Sequence, residues 1–256
     1  MRKSILLALA TTAGLFASPA IAADPAAPPP AFTITGGAAL VSDYRFRGIS
    51  QTDRNFAVQG TATLTHSSGL YVTFWGSSVD DYVTASGQSH QELDLIAGYK
   101  KTFGGTTVDF GALYYVYPKT RLAGDRSSSN FIEPYFDISH TIGPVTAKAT
   151  INYAPKQKAL ALDQIGPKRD NVYLAGDLSA SIPRTPLGLT AHLGHTWGPS
   201  WLSIGNAYTD WALGASLTWH ALSFGLQYVD TNGTFITPTG KNASKAGVVG
   251  SVGVAF

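Results

Sequence analysis

Residues 211–229 read WALGASLTWHALSFGLQYV, nineteen residues without a formal charge, and whether they make one helix or two strands decides the fold. Length and apolar content alone would allow a membrane-crossing helix. Periodicity decides against it. Trp211, Leu213, Ala215, Leu217 and Trp219 alternate with Ala212, Gly214, Ser216, Thr218 and His220, and beyond a tight turn at His220-Ala221 the pattern resumes in Leu222, Phe224, Leu226 and Tyr228. A period of two puts successive side chains on opposite faces of a strand, so the stretch predicts an antiparallel pair.

The same alternation runs along most of the chain. Phe32, Ile34, Gly36, Ala38, Leu40, Tyr44 and Phe46 fall on one phase and Thr33, Thr35, Asp43, Arg45 and Arg47 on the other, with Ser42 as the exception. It returns in Val58 to Leu64, in Leu93 to Tyr99 and in Val145 to Ile151. About twelve such segments start near residues 32, 55, 69, 89, 106, 130, 145, 170, 188, 208, 221 and 246, each long enough to cross a bilayer as a tilted strand. The expected fold is all-β: a transmembrane antiparallel up-and-down barrel of about twelve strands, with fourteen the next count and a soluble β-sandwich well behind.

Three features separate the barrel from the sandwich. Connections after even-numbered segments are brief, as at Ser67-Ser68, 101–105 and Gly143-Pro144, whereas those after odd-numbered segments are long, as at 79–88, 154–169 and 231–245. Outer-membrane barrels pair short periplasmic turns with longer extracellular loops. Trp211 and Trp219 share a phase eight residues apart, about 27 Å along a strand. With tilt that is roughly 20 Å across the bilayer, so one strand marks both edges of an aromatic girdle. Finally, Val248, Gly250, Val252, Val254 and Phe256 share the last phase, and a terminal aromatic there is expected to act as the signal read by the barrel assembly machinery.

The N-terminus reads as an export signal. Arg2 and Lys3 precede an apolar run from Ile5 to Phe16, too short to span as a helix, and Ala20-Ile21-Ala22 has the small residues a signal peptidase needs. The expected division is a signal peptide over 1–22, a Pro/Ala-rich linker over 23–31 and the barrel over 32–256, placed in the cell outer membrane. Loss of Arg2 and Lys3 takes the 18 basic residues to 16 against 16 acidic ones, so the mature chain carries no net charge and no basic stripe for nucleic acid. Charged residues are 13% of the chain, about half the usual share for a soluble domain. With no cysteine, thiolate catalysis and Cys-ligated zinc are excluded, and no cofactor or metal is expected.

Ser42-Asp43-Tyr44-Arg45-Phe46-Arg47-Gly48-Ile49-Ser50-Gln51-Thr52 resembles the opening signature of the TorF family, a proteobacterial family of outer-membrane barrels named as porins, and the resemblance extends over essentially the whole mature chain. It implies an outer-membrane barrel and a porin role. It says nothing about the solute.

Candidate functional residues are those on inward phases. Asp43, Arg45 and Arg47 on the first segment could line a constriction that sorts solutes by charge, or form an ion-pair lattice that holds the barrel in register. Glu92, Asp94, Asp109, Glu133, Asp137, Lys148 and Asp177 also fall mostly on inward phases and form a largely acidic arc facing that basic segment, either a transverse field or a solvated interior. His66 and His140 lie near the turn-end rim and His195 on a lipid-facing phase, where each reads as an interfacial residue. No Gly-x-Ser-x-Gly, His-Glu-x-x-His, phosphate loop or calcium loop is present, so the chain is not expected to be an enzyme. The outer loops carry a slight basic excess, suited to solvation or to lipopolysaccharide phosphates. The expected function is a porin-like channel for passive diffusion of small hydrophilic solutes. The alternative is a plugged barrel with a structural or adhesive role or, further behind, a lipid-modifying enzyme.

Overall fold

The computed structural model describes residues 30–122, 128–164 and 166–256. The expected signal segment and residues 23–29 of the linker lie outside them. The strands, in chain order, are β1 (Phe32–Val41), β2 (Arg45–Phe46), β3 (Ile49–Ser50), β4 (Ala57–His66), β5 (Leu70–Ser78), β6 (Gln91–Phe103), β7 (Thr106–Val116), β8 (Phe131–Ile142), β9 (Val145–Gln157), β10 (Arg169–Ser181), β11 (Leu187–Trp197), β12 (Tyr208–Trp219), β13 (Leu222–Thr231) and β14 (Gly247–Ala255). Twelve of them close into one antiparallel barrel, in which β4 follows β1 and β14 returns to pair β1 from Gly37↔Ala255 to Val41↔Ser251. The pair β2–β3 stands apart as its own two-stranded sheet.

Strand pairing follows the alternation, because a slip of one residue would turn every apolar side chain inward. Ile34, Phe74, Leu213 and Leu226 are 69%, 63%, 63% and 60% exposed on the outer surface, while their neighbours Thr63, Thr73, Glu92 and Asp210 are buried in the lumen. Water does not suit such an outer face, whereas the hydrocarbon of a bilayer does. Trp211 and Trp219 both stand on it, with Trp219 61% exposed at one end of β12. Among the described residues no helix is long and apolar enough to cross a membrane.

The two ends of the barrel differ. At one end the connections are short, such as Gly104-Gly105 and Gly143-Pro144. Gly143 has φ +58°, the left-handed backbone that a two-residue hairpin turn needs. Both described chain ends lie there too, because Phe32 pairs with His66 and the Phe256 amide and carbonyl exchange bonds of 2.9 and 3.0 Å with Gly36. At the other end, long loops fold over the mouth and include single-turn 3-10 helices at Asp81–Val83, Lys158–Leu160 and Trp201–Ser203. Val83, Leu160 and Leu202 are buried there, Trp201 Nε1 donates to the Val83 carbonyl at 3.0 Å, and Gln164 Nε2 donates to the Ala159 carbonyl at 3.0 Å. The apolar core therefore sits inside the barrel toward this loop end, where Tyr44, Trp75 and Tyr115 join the same cluster.

One expectation about the wall is corrected. The alternation from Phe32 to Phe46 reads as one strand, but β1 ends at Val41. Its last tie to the wall is at Ser42, which exchanges bonds of 2.8 Å with Gly250 through its amide and hydroxyl. β14 begins at Gly247, so residues beyond Ser42 soon run out of ladder partner. The chain instead turns into the lumen and reverses at Arg47 (φ +47°) and Gly48 (φ +80°), the two positive values of a tight hairpin turn, with Arg45↔Ser50 and Phe46↔Ile49 paired across it. Asp43, Arg45 and Arg47 are thus not a row on the barrel wall. Tyr44 and Phe46, on the oily phase, face the interior rather than lipid.

Candidate functional site: the lumen and its in-folded hairpin

The hairpin is held by its own charged residues. Arg45 Nε donates to Asp43 Oδ2 at 2.6 Å, and Asp43 Oδ1 accepts from the Ser50 hydroxyl at 2.6 Å and from Thr52 at 3.3 Å. Arg45 NH1 also reaches the carbonyls of Gly48, Ala243 and Lys245 at 3.0, 2.9 and 3.1 Å. Carbonyl oxygens left without ladder partners thereby find donors. Arg47 points the other way, across the lumen. Its NH2 makes a forked contact with Glu133 on β8 at 2.8 and 2.9 Å, and NH1 donates to Asn171 on β10 at 3.1 Å. Its guanidinium stacks 4.1 Å over Tyr173 and 4.8 Å over Phe46.

The acidic arc receives this hairpin. Glu133, fully buried, also accepts from Tyr115 at 3.2 Å and Asn152 at 3.3 Å. Glu92 accepts from Tyr44 of the in-folded segment at 2.8 Å and from Tyr117 at 2.7 Å. Asp94 is buried on the same strand, with Oδ1 lacking a hydrogen-bond partner among the described residues. Nearer the turn end, Asp109 is bound by Lys100 at 2.8 Å and by the paired hydroxyls of Tyr71 and Tyr135. Asp137 lies opposite Thr150, and its Oδ1 is also unpartnered. Lys148 meets Asp177 at 3.3 Å.

Two members of this network escape sequence reasoning. His192 on β11 bridges Asp177 at 2.7 Å and Asp210 on β12 at 3.0 Å, and the Tyr173 hydroxyl donates to Asp210 at 3.2 Å. A series of polar contacts therefore runs Lys148, Asp177, His192, Asp210, Tyr173 and then, through ring stacking, Arg47 and Glu133. The alternation carried the signal, since His192 shares a phase with Thr190 and Thr196, and Asp210 precedes outward Trp211. His66, His140 and His195 each bond a nearby hydroxyl, Ser68, Thr106 and Thr209 respectively, outside this network.

The hairpin's far edge is latched to the loops. Asp53 accepts from Thr237 at 2.9 Å and Thr239 at 2.8 Å and pairs with Lys241 at 3.1 Å. Burial pushes its carboxyl up, but these donors outweigh burial and hold it below the usual carboxylate range. Tyr82 donates to the Ser50 carbonyl at 2.5 Å, and burial, reinforced by the Asp53 and Asp43 carboxylates, pushes its phenol up to about 12.

The lumen is unevenly filled. The β5–β8 side carries Tyr71, Trp75, Tyr115 and Tyr135, whereas β12–β14 present Gly214, Ser216, Gly225 and Ser251. Beside that small-residue wall lies a cavity of about 190 Å³, lined also by Lys148, Asp177 and His192 of the adjoining strands β9–β11 and by Arg45 and Arg47 of the hairpin. The arrangement makes a cup below the hairpin with charged groups on one side, while the hairpin and loops cross the lumen at the loop end.

The fold is shared with solved membrane barrels. The NanC porin superposes with a TM-score of 0.57 at 9% identity, over 88% of this chain and 99% of that one. A membrane protein from work on in-meso crystallization gives 0.56 at 8% identity, over 87% and 83%. At such identities the likeness shows the fold alone. No curated protein matches the sequence. A family profile described as bacterial protein of unknown function (Gcw_chp) matches residues 22–254; the match does not carry the TorF name.

Proposed function

Because the chain belongs to the bacterial Gcw_chp family, whose function is unknown, we propose its role from the geometry: a porin-like outer-membrane channel for passive diffusion of small hydrophilic solutes. The observation that carries the reading is a closed twelve-strand barrel, oily outside, with an internal cavity along the small-residue wall of β12–β14 into which Lys148, Asp177 and His192 also project. Barrels of eight strands are filled by side chains and those of sixteen to eighteen leave a channel, so at twelve the side chains decide. Glycine and serine on one wall leave room here. In this reading the short turns are periplasmic, the long loops face outward toward lipopolysaccharide, and the barrel assembly machinery inserts the chain. Lys148, Asp177, Arg45 and Arg47 meet the solute first. The resemblance of residues 42–52 to the TorF family supports the same role.

A second reading has its own observation, because the hairpin reaches from β1 to Glu92, Glu133 and Asn171 on the far wall. A permanently plugged barrel would serve a structural or adhesive role. Single-channel recording of purified protein in a planar bilayer separates the two. Discrete steps that scale with salt support the channel, and a silent bilayer holding correctly folded, heat-modifiable barrel refutes it.

A further inference from the structure

We infer that residues 43–54 are a gate, a segment that leaves the lumen as a unit to open the channel and is seated across the lumen by Arg47 on Glu133 and Tyr44 on Glu92, and at the rim by Asp53 and Arg45 on the 232–246 loop. The inference rests on the channel reading above.

The strand connectivity allows such movement. β2 and β3 pair only with each other, so unseating them costs no hydrogen bond of the barrel ladder. The segment enters and leaves at the same rim, from Val41 of β1 and to Ala57 of β4, and these residues are themselves paired. Its two exits from the wall can therefore act as hinges without shearing the sheet. The segment also stores backbone strain, since Arg47, Asp53 and Arg54 hold φ of +47°, +52° and +64°, values that residues with a Cβ rarely adopt.

The latches are polar and therefore exchangeable with water, while Tyr44 on Trp75 and Phe46 on Tyr115 add apolar packing that the opened segment gives up. Arg47 and Glu133 form the contact across the lumen. Asp53 with Thr237, Thr239 and Lys241 forms the contact at the rim. Directly beneath the hairpin lies the cavity, lined by Arg45 and Arg47 themselves. Withdrawal of the hairpin would extend that cavity toward the loop end, and its tip is the point to fasten. A Cβ built on Gly48 lies 3.1 Å from Thr231 Cβ on β13 and 3.0 Å from Asp210 Cβ, so a shift of about half an ångström away from both brings position 48 to the separation of about 3.5–4.5 Å that a disulfide to position 231 spans.

The natural chain has no cysteine, so a Gly48→Cys/Thr231→Cys pair can be oxidised cleanly and its cross-link checked on a non-reducing gel. In planar bilayers the gate predicts that oxidation lowers open probability at least tenfold and that reduction restores it. Should strain at position 48 prevent folding, Glu133→Gln tests the same point: open probability rises several-fold. A cross-linked protein that conducts like the reduced one overturns the gate, because solute then bypasses the hairpin. A Glu133→Gln variant that changes conductance but not open probability overturns it too, since the hairpin is then a fixed constriction. Replacement of residues 43–54 by a Gly/Ser linker keeps the two failures apart. Wild-type protein and linker variant conducting with the same open probability overturn the gate and leave the channel, whereas a silent wild type overturns both, the variant's conduction then marking the hairpin as a permanent plug.

Discussion

Replacing Arg47 with Met strands a buried carboxylate, and the cost can be worked from its contacts. Glu133 is 0% exposed and would keep only Tyr115 at 3.2 Å and Asn152 at 3.3 Å, having lost two charged bonds of 2.8 and 2.9 Å. Asn171 loses its donor and Tyr173 the stacked guanidinium. Removing one partner of a buried pair costs about 3–5 kcal/mol. That cost falls on the seating of the hairpin and not on the barrel, because β2 and β3 share no ladder bonds with the wall. At about 1.4 kcal/mol per decade, the unseated population rises by roughly two to four orders of magnitude. Hydrogen–deuterium exchange reads this at Gln51 N, bonded to Tyr44 O at 2.7 Å, and at Ser50 N, bonded to Ala243 O at 3.0 Å. Amides of the β9–β10 ladder should keep their wild-type rates. The double variant Arg47→Met/Glu133→Met removes both charges of the pair and should regain most of the protection, since apolar replacement of a buried pair is often neutral. A double variant as labile as the single one, or equal loss of protection in hairpin and barrel, would refute the reasoning.

Reversing both charges, Arg45→Glu with Arg47→Glu, sets carboxylates against Asp43 and Glu133; the expected result is an unseated hairpin and a leak in bilayer recordings, not merely a shifted reversal potential. Deleting Phe256 should lower the yield of heat-modifiable barrel in the membrane by more than the small stability it supplies, and normal accumulation would remove the assembly-signal role. Gly36→Val should weaken barrel closure by about 1–3 kcal/mol in urea titration of the detergent-solubilised protein, because a Cβ there would sit 2.6 Å from the Phe256 ring and 2.9 Å from the Thr61 carbonyl. The rim latch is acid-sensitive: the folded pKa of Asp53 is depressed, so its stabilising contribution is present above the unfolded value of about 3.9 and is lost as pH falls through the folded one. Asp53→Asn should reproduce the acid-loosened loop at neutral pH, read as faster amide exchange at Ala243, whose N–H bonds Phe235 O at 2.8 Å.

Most of the barrel was legible in the sequence because a wall strand must satisfy lipid on one side and water on the other, and that requirement writes itself as a period of two. Segments expected to start near 32, 69, 106, 145 and 208 begin at Phe32, Leu70, Thr106, Val145 and Tyr208. The inward placement of Glu92, Asp94, Asp109, Glu133, Asp137, Lys148 and Asp177 followed from the same rule. The candidate site was legible only as a set of faces. Alternation assigns a side chain to one of two sides but does not say which residue on another strand it meets. His192 between Asp177 and Asp210 is a meeting of three strands, and no local pattern encodes it.

The first segment shows where the rule stops. From Phe32 to Phe46 the alternation continues past the point where the chain leaves the wall, because a hairpin inside a lumen is also extended and also alternates. The sequence by itself determined the faces of the wall strands, their number to within about two, and the contrast between short and long connections, all consequences of local periodicity and turn chemistry; closure at twelve is read from the structure. Only the tertiary structure decided that β1 ends at Val41, that Arg47 and Gly48 turn the chain back within the barrel, and that Arg47 finds Glu133 on the opposite wall. Those outcomes depend on where neighbouring strands run out of partners and on which buried charges the closed barrel brings together.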